Sequence, residues 1–194
     1  MKRLFLLVLF CISTLGMYAQ KFSPGIIHTK DGKQIECLVE NSLNINERLI
    51  SYKFGQKSKT ERMASKSIKK ITYINAEDNS YGEVVYTKFK GLPLHLGKSP
   101  QWCGVVIKGD DSKGEVTLLR NLEHGVLCKR PKEELPTFMG AGKNVPAVAN
   151  QFYKKAAEYF SDYPELAKRI LDKEFKEGEI YDIVREYNVW VSLK

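Results

Sequence analysis

Residues able to do chemistry are few in this chain and widely spaced. There are three histidines among 194 residues, His28, His95 and His124. None stands two to five residues from another, and no His-Glu-x-x-His run sets two imidazoles and a carboxylate on one helical face. A hydrolytic site acting on glycan or peptide therefore has to be assembled from distant strands, pairing one of these histidines with a carboxylate such as Glu36 or Glu83. The nearest Cys/His pair is His124 and Cys128. Gly125 lies between them and Cys128 falls in an extended segment, whereas a thiolate nucleophile needs a positioned base and a lowered pKa.

Other site signatures fail on spacing. Gly97-Lys98-Ser99 looks like the end of a phosphate loop, but Gly91 and Gly97 are separated by five residues and Pro93 and Pro100 interrupt the segment. A phosphate loop needs four residues there, a strand before and a helix after. Gly140-Ala141-Gly142-Lys143 is an equally short fragment. No Gly-x-Ser-x-Gly elbow and no Cys-x-x-Cys is present. The acidic turns Asp110-Asp111-Ser112 and Glu77-Asp78-Asn79-Ser80 lack the ligand ladder of a calcium loop. No cofactor and no metal site is expected, and a non-catalytic protein is favoured over an enzyme.

What remains is charge. The chain carries 31 Lys+Arg against 23 Asp+Glu, a net charge of +8. Lys53, Lys57, Lys59, Arg62, Lys66, Lys69 and Lys70 lie close together, with only Glu61 among them. Such a patch is an electrostatic footprint for a polyanion. It is also what a lysine-guarded sheet edge looks like.

The N-terminus sets which polyanions are within reach. Met1-Lys2-Arg3 is a positive n-region, Leu4 to Leu15 an apolar run, and Ala19 a small residue before a cut. This is the pattern of a signal peptide over residues 1–19. The apolar run is too short to span a bilayer comfortably, so the mature chain is expected to have no transmembrane segment. Leu9 and Phe10 before Cys11 are not the small residues a lipidation site needs. An exported, periplasmic or outer-membrane-associated protein does not meet nucleic acid. Its expected partners are another envelope protein, or an anionic envelope lipid or glycan.

The elements that must position these residues divide the mature chain in two. Residues 20–130 read as strands separated by turns, among them Ile26 to Thr29 and Gln34 to Val39 flanking Asp31-Gly32, a strong hairpin signal. Residues 131–146, with Pro131, Pro136, Gly140, Gly142 and Pro146, read as a linker. Residues 147–194 switch to helical spacing, with stripes through Val148, Phe152, Ala156, Tyr159 and Phe160, then Leu166, Ile170 and Leu171, then Ile180, Ile183, Val184 and Tyr187. Asp162 followed by Pro164 and Glu165 reads as a capped helix start. The expected class is α+β: an antiparallel β-rich meander, barrel-like or sandwich domain, followed by about three short C-terminal helices. Charge follows this division, with twenty-one basic and fourteen acidic residues in 20–144 against eight and nine in 145–194.

Cys37, Cys103 and Cys128 make an odd count in the mature chain, so at least one thiol is free or paired between molecules. Cys103 and Cys128 lie in expected strands where a cross-sheet pair is conceivable, but buried free thiols are the favoured reading. The aromatics Tyr52, Tyr73, Tyr81, Tyr86, Phe89 and Trp102 are suited to line a small-ligand barrel or, as favoured, to seal a core.

Together, the Ala19-Gln20 ending, the early Asp31-Gly32 hairpin, the run Tyr159-Phe160-Ser161-Asp162-Tyr163-Pro164-Glu165-Leu166 and the later Glu186-Tyr187-Asn188 resemble a group of uncharacterised exported proteins of Bacteroidota. Many of those have Cys where Tyr163 stands here. The resemblance implies a β-rich half followed by short helices and an exported location, and no activity. The function it leaves is a non-catalytic binding or accessory module of the envelope; the alternatives are the dispersed hydrolase site and a small-molecule carrier.

Overall fold

Asp31-Gly32 turns the chain as its residue types imply. Gly32 takes φ +89°, which its missing Cβ permits, and Thr29 N–H donates to the Lys33 carbonyl at 2.9 Å. The computed structural model describes residues 22–41, 44, 46–74, 81–91, 98–121, 123, 125–140 and 151–194. The expected signal peptide, His95 and His124 lie outside these.

The hairpin joins β1 (Phe22–Thr29) to β2 (Gln34–Glu40). Then follow β3 (Leu49–Lys53), β4 (Glu61–Ala64), β5 (Ile68–Tyr73), β6 (Glu83–Thr87), β7 (Gln101–Ile107), β8 (Thr117–Asn121), β9 (Gly125–Lys129) and β10 (Thr137–Gly140). All pair antiparallel with their neighbours in one sheet of order β10-β9-β8-β7-β6-β5-β1-β2-β3-β4. Two meanders, β1–β4 and β5–β10, are thus joined through β1 and β5. A single 3-10 turn, Ser65–Ser67, carries the chain from β4 back to β5.

Side chains alternate across a strand, so register assigns each residue to a face. Ile27 lies opposite Ile71, Ile71 opposite Val84, and Val84 opposite Gly104. On this face Ile27, Val39, Ile50, Ile68, Ile71 and Trp102 form one core under the β3–β4 hairpin. The Trp102 indole N–H fastens it, 3.2 Å from Ser65 Oγ and 3.3 Å from the Glu47 carbonyl. Val85 lies opposite Cys103, Val105 opposite Leu119, and Leu127 opposite both Leu119 and Phe138. These belong to the other face, where Phe89, Cys103, Leu119, Leu127 and Phe138 form a second core. The chain beyond β6 encloses it by pairing parallel with β10, through Lys90 N–H to the Pro136 carbonyl at 2.9 Å and Phe138 N–H to the Lys90 carbonyl at 2.8 Å.

Three helices cover the first face beside β8–β10: α1 (Phe152–Tyr159), α2 (Pro164–Leu171) and α3 (Ile180–Ser192). Phe152, Ala156, Phe160, Leu166, Ile170, Ile183 and Tyr187 pack there against Leu118, Val126, Cys128 and Met139. The α+β class and its three C-terminal helices stand as the periodicities indicated.

Three local expectations change, the first being that Leu171, read into the second helical stripe, is exposed. The stretch 131–146 contains β10, because bonds to β9 and to Lys90 outweigh its turn-rich composition. β4, the edge strand of the sheet, lies within the basic run, which fits its reading as a lysine-guarded edge. Asp162 does not cap α2; Tyr163 takes that position, and the Asp162 carboxylate binds an arginine instead. Cys103 and Cys128 cannot pair, since Cys103 sits on one face opposite Val85 and Cys128 on the other opposite Leu118. Cys37, Cys103 and Cys128 are all free and buried.

Candidate functional site

The face that carries the second core also carries a cleft of about 440 Å³. Alternation on β6 points Glu83, Val85 and Thr87 into it. Lys70 faces it because it lies opposite Val85, and Lys129 because it lies opposite Thr117. Lys30 from the β1–β2 turn, Lys69 from β5, and Lys108 and Asp111 beyond β7 complete the rim, with Val85, Val105 and Leu119 as an apolar floor. Five lysines from four places in the chain thus surround one opening, against two carboxylates.

Glu83 partly neutralises that ring. Its Oε2 accepts from Lys70 Nζ at 2.7 Å and from Lys108 Nζ at 3.4 Å. Burial alone pushes the Glu83 carboxyl up, but the bonds and charges of Lys70 and Lys108 outweigh it and hold the group below the usual carboxylate range. Among the described residues, Lys30, Lys69 and Lys129 form no ion pair with any carboxylate. Three unmatched positive charges around a concave, partly apolar surface raise the local potential and favour an anion.

The basic run is divided by the fold. Lys69 and Lys70 reach the cleft. Lys53, on β3, holds its ammonium 4.5 Å from the Phe22 ring. Lys57 and Lys59 are exposed in the β3–β4 turn, Arg62 on β4 and Lys66 in the 3-10 turn. Lys30, Lys108 and Lys129 belong to the cleft but not to the run. Only strand pairing brings them in, so local charge density gives no sign of them.

Of the histidine and carboxylate candidates, His28 Nε2 lies 3.3 Å from Thr72 Oγ1 and does not line the cleft. Burial, then the charge of Lys70, lowers its pKa, so it is neutral at pH 7. Glu36 is exposed on β2. Among the described residues no three His, Cys, Asp or Glu side chains are grouped to hold a metal ion, and no helix is long and apolar enough to cross a membrane. Burial pushes the Cys37 thiol up to about 11 and the Cys103 thiol up to about 12, the reverse of what a nucleophile needs. The aromatics Tyr52, Tyr73 and Trp102 belong to the first core and Phe89 to the second, all under a tenth exposed.

The C-terminal motif residues form a second polar centre. Arg130, just after β9, is bidentate to Asp162, at 2.7 and 3.0 Å. It also donates to the Tyr187 hydroxyl at 2.5 Å and the Tyr159 carbonyl at 2.6 Å. Tyr187 in turn donates to Asp162 at 2.7 Å, and the Tyr159 hydroxyl to Glu133 at 2.6 Å. Tyr159, Asp162 and Tyr187 thus dock the helices on the sheet. Burial raises Asp162 and Glu133, but bonds from Arg130, Tyr187, Tyr159 and Lys90 more than reverse this and leave both carboxyls low. Comparison of the chain with protein-family models, with curated proteins and with solved structures finds no match.

Proposed function

We propose that this protein is a non-catalytic binding module exported to the bacterial envelope, and that the lysine-lined cleft takes an anionic group of an envelope lipid or glycan. The observation that carries the reading is the cleft itself, where five lysines and two carboxylates surround an apolar floor. The signal-peptide pattern of residues 1–19 and the resemblance to exported Bacteroidota proteins support the compartment. A hydrolytic reading gains nothing from His28, which bonds Thr72 outside the cleft.

The test is retention of the mature chain, from Gln20 onward, on anionic vesicles and on immobilised acidic polysaccharide across a salt series. Binding should weaken steeply with salt. The double variant K108E/K129E should abolish it, and K57E/K59E, on the β3–β4 turn, should leave it intact. Equal loss in both double variants would assign binding to diffuse surface charge and remove the cleft from the account.

A further inference from the structure

We infer that the anion recognised in this cleft is a terminal phosphate, a compact group bearing close to two charges, carried on a lipid or a sugar. The inference rests on the cleft being a ligand site at all. Its own support begins with the kind of cation. Every positive group at the opening is a lysine and none is an arginine. The planar guanidinium fork pairs in a fixed bidentate geometry with carboxylate and phosphate alike, whereas ammonium groups act as point charges and can meet a tetrahedral oxyanion from several sides. Lys30, Lys69 and Lys129 arrive from the β1–β2 turn, β5 and β9, which supplies several directions of approach.

The second support is the internal carboxylate. Glu83 already bridges Lys70 and Lys108. A ligand offering one carboxylate leaves most of the remaining positive charge unmatched, whereas a group with two charges, though repelled more by Glu83, gains more from the field of the three unpaired lysines. Glu83, paired with Lys70 and Lys108, then subtracts one charge from the site. The floor of Val85, Val105 and Leu119 gives an apolar surface for the glycerol or sugar that bears the phosphate, and about 440 Å³ is ample for such a head group but not for a folded chain.

The experiment is calorimetric titration of the mature chain with sodium pyrophosphate, glucose 1-phosphate and galacturonate at one ionic strength. A parallel arm uses phosphatidylcholine vesicles containing phosphatidic acid or phosphatidylglycerol. The phosphates should bind at least about tenfold more tightly than galacturonate, the size of one moderately screened charge contact. K129E should abolish binding, with K129Q and a circular dichroism spectrum as controls for folding. E83Q should tighten pyrophosphate binding by about threefold, a fraction of one full charge interaction. Phosphatidic acid should be preferred over phosphatidylglycerol if the phosphate is lipid-borne, and glucose 1-phosphate should suffice if it is sugar-borne. Galacturonate binding as tightly as the phosphates would overturn the inference while leaving an anion site. No binding of any anion would overturn the anion site as well. Weaker pyrophosphate binding by E83Q would overturn the role given to Glu83.

Discussion

Asn188 shows how much one side chain can hold. Its Oδ1 accepts from Val116 N–H at 2.7 Å and its Nδ2 donates to the Val116 carbonyl at 2.9 Å. The side chain thus does for Val116 what a neighbouring strand does elsewhere, in a site where Asn188 is only 9% exposed. A buried peptide group left without partners loses more than the net value of a hydrogen bond, because its desolvation is no longer offset. Asn188→Leu should therefore cost about 2–3 kcal/mol in urea unfolding, with an unchanged denaturant slope. Asn188→Asp should be no better, because it sets a carboxylate oxygen against the Val116 carbonyl. A loss under about 0.5 kcal/mol for the leucine variant would place this pair among ordinary surface contacts.

At the scale of elements, the three helices are held by apolar packing and by the cluster of Arg130, Asp162, Tyr159, Glu133 and Tyr187. Asp162 and Glu133 have folded-state pKa values below their unfolded ones. The stability they supply is present above the unfolded carboxylate values, near pH 4, and is lost as pH falls through the lower folded values. Acid should accordingly loosen the helices. Asp162→Asn should cost about 1–2 kcal/mol at pH 7, discounted because the Asp162 side chain is 47% exposed, and should flatten the loss of stability between pH 5 and 3. An unchanged acid profile in that variant would show that the cluster does not carry the effect. The helices themselves were legible, since Phe152, Ala156 and Phe160, and then Leu166 and Ile170, fall at helical spacing. The task of Asp162 was not, because Arg130 lies 32 positions away on the far side of a turn-rich stretch. The cleft was half legible for a similar reason. Lys69 and Lys70 stand in a visible basic run, while Lys108 and Lys129 are single lysines at strand ends that only the register of β7, β8 and β9 brings to one opening.

At the scale of the whole molecule, the cores on the two faces of the sheet meet at β7. β7 serves every core: Trp102 packs in the first, Cys103 in the second, and Ile107 against the helices. Gly104 lies beneath Tyr81, where an added Cβ would come within 2.2 Å of the ring. Tyr81 packs against the first core from that position. A side chain at 104 must push the ring away, and the strand cannot yield without disturbing Trp102 and Cys103 on either side. Gly104→Ala should therefore destabilise by about 1–3 kcal/mol, in the range of overpacked cores. The loss should appear equally in both halves. In a Trp190→Phe background, Trp102 emission reports the first core and the helical ellipticity reports the C-terminal elements. At pH 7 the two midpoints should coincide in urea and should fall together on introducing Gly104→Ala, as expected of one cooperative unit. Separate midpoints would mean that the halves unfold independently, and that a ligand in the cleft, which draws its lysines from both, also joins them.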